Sequence, residues 1–180
     1  MRSVLLTLCL ALLPTLACAG AEPAKTATGI PLDAPWKVQL YTFARSHFVH
    51  PAWGWQHSER KYQVGLRLAQ GDNVHIDADV LFAASFLHDM AAFQPCADRK
   101  MEHGDCAAQQ SGALLSRMGF PMAKLPGVLA AERAHMYNRT PKSRYPESVV
   151  LHDADSLDFL GGIGAARLLS LTGEKGASFA

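Results

Sequence analysis

The chain has 180 residues, 49% of them hydrophobic, and a net charge of +1 from 17 basic and 16 acidic side chains. A balance this even, with no basic run, excludes a protein that grips nucleic acid through a positive surface. The length suits one domain with a sizeable core.

Residues 1–21 have the pattern of an export signal. Arg2 supplies a positive start, Val4 to Leu13 is apolar, and Ala17-Cys18-Ala19 and Ala19-Gly20-Ala21 both offer small-x-small cleavage sites. A permanent membrane span needs roughly 20 apolar residues, and Pro14 interrupts this stretch. The expected location is therefore periplasmic or secreted. Leu16-Ala17-Cys18 also resembles a lipoprotein box, which leaves an anchor through Cys18 as the alternative. Residues 22–35 mix Pro, Gly, Thr and Ala without periodicity and are expected to form a flexible leader. Residues 36–173 are expected to form one helical domain, followed by a tail over 174–180.

Helical periodicity dominates the rest, and few stretches alternate as a strand would. The first helix is predicted from Trp36 to about Val49, ahead of His50-Pro51, and the second from near Gln56 to Ala69. The third starts at Asp77, a good N-cap, and carries Val80, Leu81, Ala84 and Leu87 towards His88-Asp89. The fourth runs from about Asp105 to Met118, with Gly119 as its stop. The fifth opens near Pro126 and ends around Tyr137. The sixth opens at Pro146 and ends before Gly161-Gly162, where the last begins and runs to about Leu171. The fold class is all-α, a bundle of about six to seven helices.

Cys9 and Cys18 fall in the signal, leaving Cys96 and Cys106 around a short polar loop. In an oxidising compartment this pair is expected to form a disulfide, which would stabilise by about 2–3 kcal/mol in the chain-entropy model. Unpaired cysteines beside a metal loop are the alternative.

Residues with metal-ligand chemistry recur at helix ends and on helix faces: His57, His88, Asp89, His103, His135 and Asp153. Imidazole suits zinc, iron, nickel and copper, whereas carboxylate suits harder ions. The mixture fits one or two divalent ions of iron, manganese or zinc. A carboxylate has two oxygens, so one Asp can bridge two ions, and two ions about 3.5–4 Å apart can clamp both oxygens of a phosphoryl displacement. His47, His50, His75 and His152 are assigned ordinary structural or surface roles. Asp155 and Asp158 are assigned to capping or to supporting the ligands.

The order of these residues resembles the H…HD…D pattern of the HD-domain superfamily. The likeness spans about His57 to Arg167. It rests on His57-Ser58-Glu59-Arg60, on Leu81 to Met90 with His88-Asp89, and on His152-Asp153-Ala154-Asp155-Ser156-Leu157-Asp158 followed by Gly161-Gly162-Ile163-Gly164-Ala165-Ala166-Arg167. The last stretch looks like the small stand-alone bacterial HD hydrolases. The resemblance implies an all-α metal-dependent phosphohydrolase, with His57, His88, Asp89 and Asp153 holding a first ion. His103 and His135 match the two further histidines of binuclear members, and Asp89 would then bridge the ions. His135 is followed by Met136, so the His-His-Glu signature of cyclic di-GMP phosphodiesterases is absent, as is their Gly-Tyr-Pro.

Phosphate needs cations that also donate hydrogen bonds. Arg60 lies one turn from His57 and is expected to share its face, acting beside Asp89 in catalysis. Arg139, Lys142 and Arg144 follow His135 and are expected at the rim as substrate-binding groups. The reaction expected is hydrolysis of a phosphate mono- or diester of a small molecule, a nucleotide among the candidates, by metal-activated water. Two alternatives remain open: a mixed-valent di-iron oxygenase, which uses the same six ligands in some HD proteins, and a non-catalytic ligand-binding protein stapled by metal.

Overall fold

Seven helices carry the fold, with no strand among the described residues, which in this computed structural model are 24–93, 101–136 and 141–175, with side chains to residue 171. They are α1 (Pro35–His47), α2 (Trp55–Gly71), α3 (Ala78–Leu87), α4 (His103–Met118), α5 (Leu125–Ala134), α6 (Pro146–Leu157) and α7 (Gly161–Lys175), with short 3-10 turns at Met90–Ala92 and Met122–Lys124. Among the described residues, no helix is long and apolar enough to cross a membrane.

The centre of the molecule follows from composition. Every residue of α3 from Val80 to Leu87 is buried, as expected of a helix that is apolar on all sides. It packs against α1, α2, α5 and α6, and α4 lies across α5 and α1. Asp77 starts α3 by accepting hydrogen bonds from the backbone N–H groups of Asp79 and Val80 at 2.9 and 3.4 Å. Around this axis Trp36 meets Phe82 and Phe120 edge to face. Gly65 lets α2 approach closely, since a Cβ there would lie 3.1 Å from side-chain atoms of both Leu81 and Val150.

Helix ends fall where the punctuation predicts, within a few residues. Gly119 ends α4 at φ +77, a conformation only glycine adopts without cost. Proline stands in the first turn of α1, α5 and α6. Two of the shifts bear on the site. The fourth helix begins at His103 rather than near Asp105. The fifth ends at Ala134, so His135 sits just past its last turn rather than inside it.

The stretch ahead of α1 is not the loose leader its composition suggests. Lys25 and Pro31 form an isolated bridge, Ile30 and Leu32 are buried in the main core, and the Ala27 N–H donates to the Tyr41 hydroxyl at 2.9 Å. Two apolar anchors in a tight turn suffice to dock it. The export signal, the Cys18 anchor and the tail from 176 lie outside the described residues. Cys106 is disulfide-bonded, and Cys96 lies outside the described residues.

Candidate metal centre

Two groups of side chains face one another where α3 ends. His57, His88 and Asp155 form one, and Asp89, His103 and His135 the other, each with ligand atoms within 4.8 Å of one another. Asp89 stands between them. Its Oδ2 lies 3.0 Å from His88 Nε2 and 3.5 Å from His57 Nε2, while its Oδ1 lies 2.9 Å from His103 Nε2 and 4.0 Å from His135 Nε2. Asp155 Oδ1 completes the first group at 3.1 Å from His57 Nε2.

Local structure decides which ring nitrogen faces inward. His88 and His135 each follow the last turn of a helix, where carbonyls have no partner further along. The His88 Nδ1–H donates to the Ser85 carbonyl at 2.9 Å, and the His135 Nδ1–H to the Glu132 carbonyl at 2.6 Å. His57 lies in the first turn of α2, and its Nδ1–H donates to Asp158 Oδ2 at 2.7 Å. These acceptors carry no proton to give, so all three rings keep hydrogen on Nδ1 and turn the Nε2 lone pair inward. Arg167 Nη2, which can only donate, meets His57 Nε2 at 3.3 Å, which agrees with that tautomer.

The result is a convergence of acceptors. The Nε2 atoms of His57 and His88 are 3.2 Å apart, and a carboxylate oxygen approaches each. Lone pairs at such distances repel unless a cation lies among them. The donor set therefore fits a divalent metal. Borderline first-row ions match its histidine and carboxylate mixture.

Electrostatics points the same way. Burial pushes His88 below its usual range, and burial together with Lys61 pushes His135 down to about 3, so both rings are neutral at physiological pH. Burial alone would raise Asp89, but His88, His103 and His57 hold it well below the usual carboxylate range. Asp155 is likewise pulled far down by Lys61 and His57 against the effect of burial.

Behind His57, Asp158 accepts three further hydrogen bonds at 2.9 Å, from Arg60 Nε and Nη2 and from Arg167 Nη1. Arg167 reaches it because the chain turns sharply between α6 and α7. Gly161 turns at φ +70, and at Gly164 a Cβ would collide with the Phe159 carbonyl. The Arg167 guanidinium then lies over the Phe159 ring, 4.1 Å from its centroid.

Neither a family model nor a curated protein matches the chain. Solved structures do. A predicted HD superfamily hydrolase from an uncultured Thermotogales bacterium is 27% identical with a TM-score of 0.60, and the match covers 76% of each chain. A protein from Lactobacillus plantarum is 24% identical with a TM-score of 0.62, over 79% of this chain and 65% of that one. The chain has the HD-domain fold.

Within this HD domain, the structure brings His57, His88, Asp89, His103 and His135 together and leaves Asp153 out. Asp153 is 52% exposed and pairs with His152 at 2.8 Å. The helix explains the exchange. Two residues span about 200° of turn, so when Val150, Leu151 and Ala154 are buried, Asp155 faces inward with them and Asp153 faces out. The apolar stripe of α6 was the signal that distinguishes the two carboxylates.

The cations are also redistributed in the HD domain. Arg60 does not face the ligand groups freely. Its fork is closed on Asp158, and it lines a surface cavity of about 330 Å³ with Arg67 and Ile163. Lys142 and Arg144 are exposed, with Arg144 lying over the Tyr145 ring. Arg139 lies outside the described residues. Besides Arg167, a cation that reaches the interior is Lys61, four residues after His57 and thus on the same face of α2. Its side chain is fully buried, and its Nζ lies 3.3 Å from Asp155 Oδ1.

Proposed function

We propose that this HD domain is a metal-dependent phosphohydrolase that cleaves a phosphate mono- or diester of a small molecule. The observation that carries the reading is the Asp89 carboxylate, with one oxygen turned to His57 and His88 and the other to His103 and His135. His57, His88, Asp155 and Asp89 would hold one divalent ion, and Asp89, His103 and His135 a second. Iron, manganese or zinc suits these ligands. Bound there, such an ion supplies Lewis acidity that activates water and offsets the negative charge of phosphoryl transfer.

The remaining residues prepare and guard that chemistry. Asp158, clamped by Arg60 and Arg167, keeps the His57 ring in its inward-facing tautomer. Arg60 is thus a positioning residue in this reading. Asp89 and His103, 18% and 30% exposed, form the open edge by which substrate enters. Lys142, Arg144 and Arg139 are the cations proposed to meet its phosphate oxygens. The hydrolase named among the structural neighbours supports the reaction class. The export expected from residues 1–21 puts the proposed site outside the cytoplasm.

The test is release of phosphate from a panel of mono- and diesters by the metal-loaded protein, with Asp89→Ala as control. Turnover by the wild type alone supports the reading, and an inert wild type indistinguishable from the variant sinks it. The same bridging carboxylate also suits a mixed-valent di-iron oxygenase. Oxygen uptake by the anaerobically iron-loaded protein, without phosphate release, would favour that reading instead.

A further inference from the structure

The surface cavity of about 330 Å³ beside Arg60 lies behind His57, away from the donor groups. The His57 ring divides the two. Its Nε2 faces His88 and Asp89, while its Nδ1–H goes to Asp158, which lines the cavity. Two guanidiniums line it as well. Arg60 donates to Asp158 through Nε and Nη2, and Arg167 holds the same carboxylate from the interior. Arg67 stands seven residues after Arg60, on the same face of α2. It is exposed, and among the described residues no carboxylate pairs with it. Two arginines against one carboxylate leave the lining with a positive charge in excess. The opposite wall is apolar and open to water, since Leu157, Leu160 and Ile163 are all exposed. Single exposed apolar residues are ordinary on a surface, but these three share one concavity with an unneutralised guanidinium.

Apolar walls with a few polar groups at one end are how proteins hold small ligands. The two halves of this lining ask for two chemistries in one molecule. A planar guanidinium matches a carboxylate through paired hydrogen bonds, and hydrocarbon laid on the leucines and Ile163 leaves water. We propose that this cavity is a second ligand site, which takes a small amphiphilic monoanion: a carboxylate paired with Arg67 and drawn also by Arg60, with a hydrocarbon body against Leu157, Leu160 and Ile163. The excess of one positive charge sets the preference for a monoanion, and the guanidiniums repel a cationic ligand of the same shape. Asp158 and His57 stand between this ligand and the donor groups, so it does not compete for them. The site needs no metal ion and stands apart from the phosphohydrolase reading.

The experiment titrates the metal-free protein with octanoate by calorimetry and maps the amide shifts it causes by NMR. Acetate, which has the charge alone, and 1-octanol, which has the hydrocarbon alone, are titrated in parallel. Octanoate is expected to bind with a Kd of about 1 mM or tighter, within reach of a ligand of about ten non-hydrogen atoms. Acetate and 1-octanol should each bind at least tenfold more weakly, and the octanoate shifts should centre on Val64, Leu160 and Ile163. Arg67→Gln should weaken octanoate at least tenfold. Ile163→Glu, which sets a negative charge in the apolar wall, should abolish its binding. Both positions are exposed, so neither change disturbs the core, and thermal melts verify that each variant is folded. No saturable octanoate binding, 1-octanol binding as tightly as octanoate, a shift map centred on another face, or an unchanged octanoate affinity in Arg67→Gln would each overturn the proposal. Octanoate binding by a protein that releases no phosphate from any ester would sink the phosphohydrolase reading and leave this one standing.

Discussion

The Nδ1–H of His57 donates at 2.7 Å to Oδ2 of Asp158, a residue 101 positions further along the chain. This bond joins the start of α2 to the turn after α6, and it determines that Nε2 of His57 faces His88. Asp158 is itself held by two arginines, and burial, which would raise its pKa, is outweighed by His57 and Arg60, so it stays ionised well into acid.

Replacing Asp158 by Asn therefore acts at a distance from the metal ligands. The amide carries no charge to hold Arg167, which is buried, or to fix the His57 tautomer. Divalent-ion affinity is expected to fall about 10- to 100-fold, with a loss of roughly 3–5 kcal/mol in stability from the uncompensated buried charge. Metal titration and denaturant melts check both. An isotherm matching wild type would remove Asp158 from the site.

Asp155→Ala and Asp153→Ala separate the two carboxylates of α6. The first removes an inward donor and is expected to lower retained metal and activity by at least tenfold. The second removes an exposed group and should leave metal content and stability within about 0.5 kcal/mol of wild type. Metal analysis after desalting reads the difference, and the reverse order of effects would restore Asp153 as the ligand.

Glu132 predicts a pH dependence. It is fully buried beneath His135, and burial, opposed by Ser111 and Arg133, raises its carboxyl to about 8. The neutral acid also explains its neighbours. Ser111 Oγ lies 2.6 Å from Glu132 Oε1 and 2.9 Å from the Ala107 carbonyl, and its single proton can serve the carbonyl if Glu132 donates to Ser111. Because the folded pKa is above the unfolded one, the native state binds the extra proton between about 4.5 and 8. Stability must fall as pH rises through that window. Glu132→Gln keeps the shape and cannot ionise, so it should gain on wild type by roughly 3 kcal/mol between pH 5 and pH 8. Urea melts at both pH values test this, and a pH-independent difference between the two proteins would refute it.

Gly104 follows His103 at the start of α4, and a Cβ there would lie 2.5 Å from the Glu132 carbonyl oxygen. Backbone cannot yield as a side-chain tip can, so Gly104→Ala must push α4 away from α5. The expected cost is about 1–3 kcal/mol, with weaker metal binding as His103 moves from Asp89. A variant with wild-type melts and metal affinity would show that the two helices have slack there.

Much of the architecture was legible because its causes are local. The unbroken apolar run of α3, the Asp77 cap, the prolines at helix starts and Gly119 each act within a few residues, and each marked an element correctly to within a turn. His88 and Asp89 were legible for the same reason, since they close a helix that had to be central. The misplaced boundary of α5 matters more than its two or three residues suggest. With the helix stopping at Ala134, His135 is free to spend its Nδ1–H on the last turn and point Nε2 inward.

The leader over 24–34 was misread because composition reports the freedom of an isolated segment, whereas Ile30 and Leu32 dock on helices formed elsewhere. The contact that closes the Arg60 fork was not legible, since its partner Asp158 is distant in sequence.

The order of histidines and aspartates, the helical class and the metal-binding character of the chain were determined by sequence alone, because residue type and helical period are intrinsic to it. Only the tertiary structure decided that Asp155 rather than Asp153 turns inward, that Asp89 stands between two groups, and that Lys61 is a buried cation of the site. Those outcomes depend on which face of α2 and α6 packs against α3 and on which charges meet there, and burial and Coulomb energy act between segments that the linear chain keeps apart.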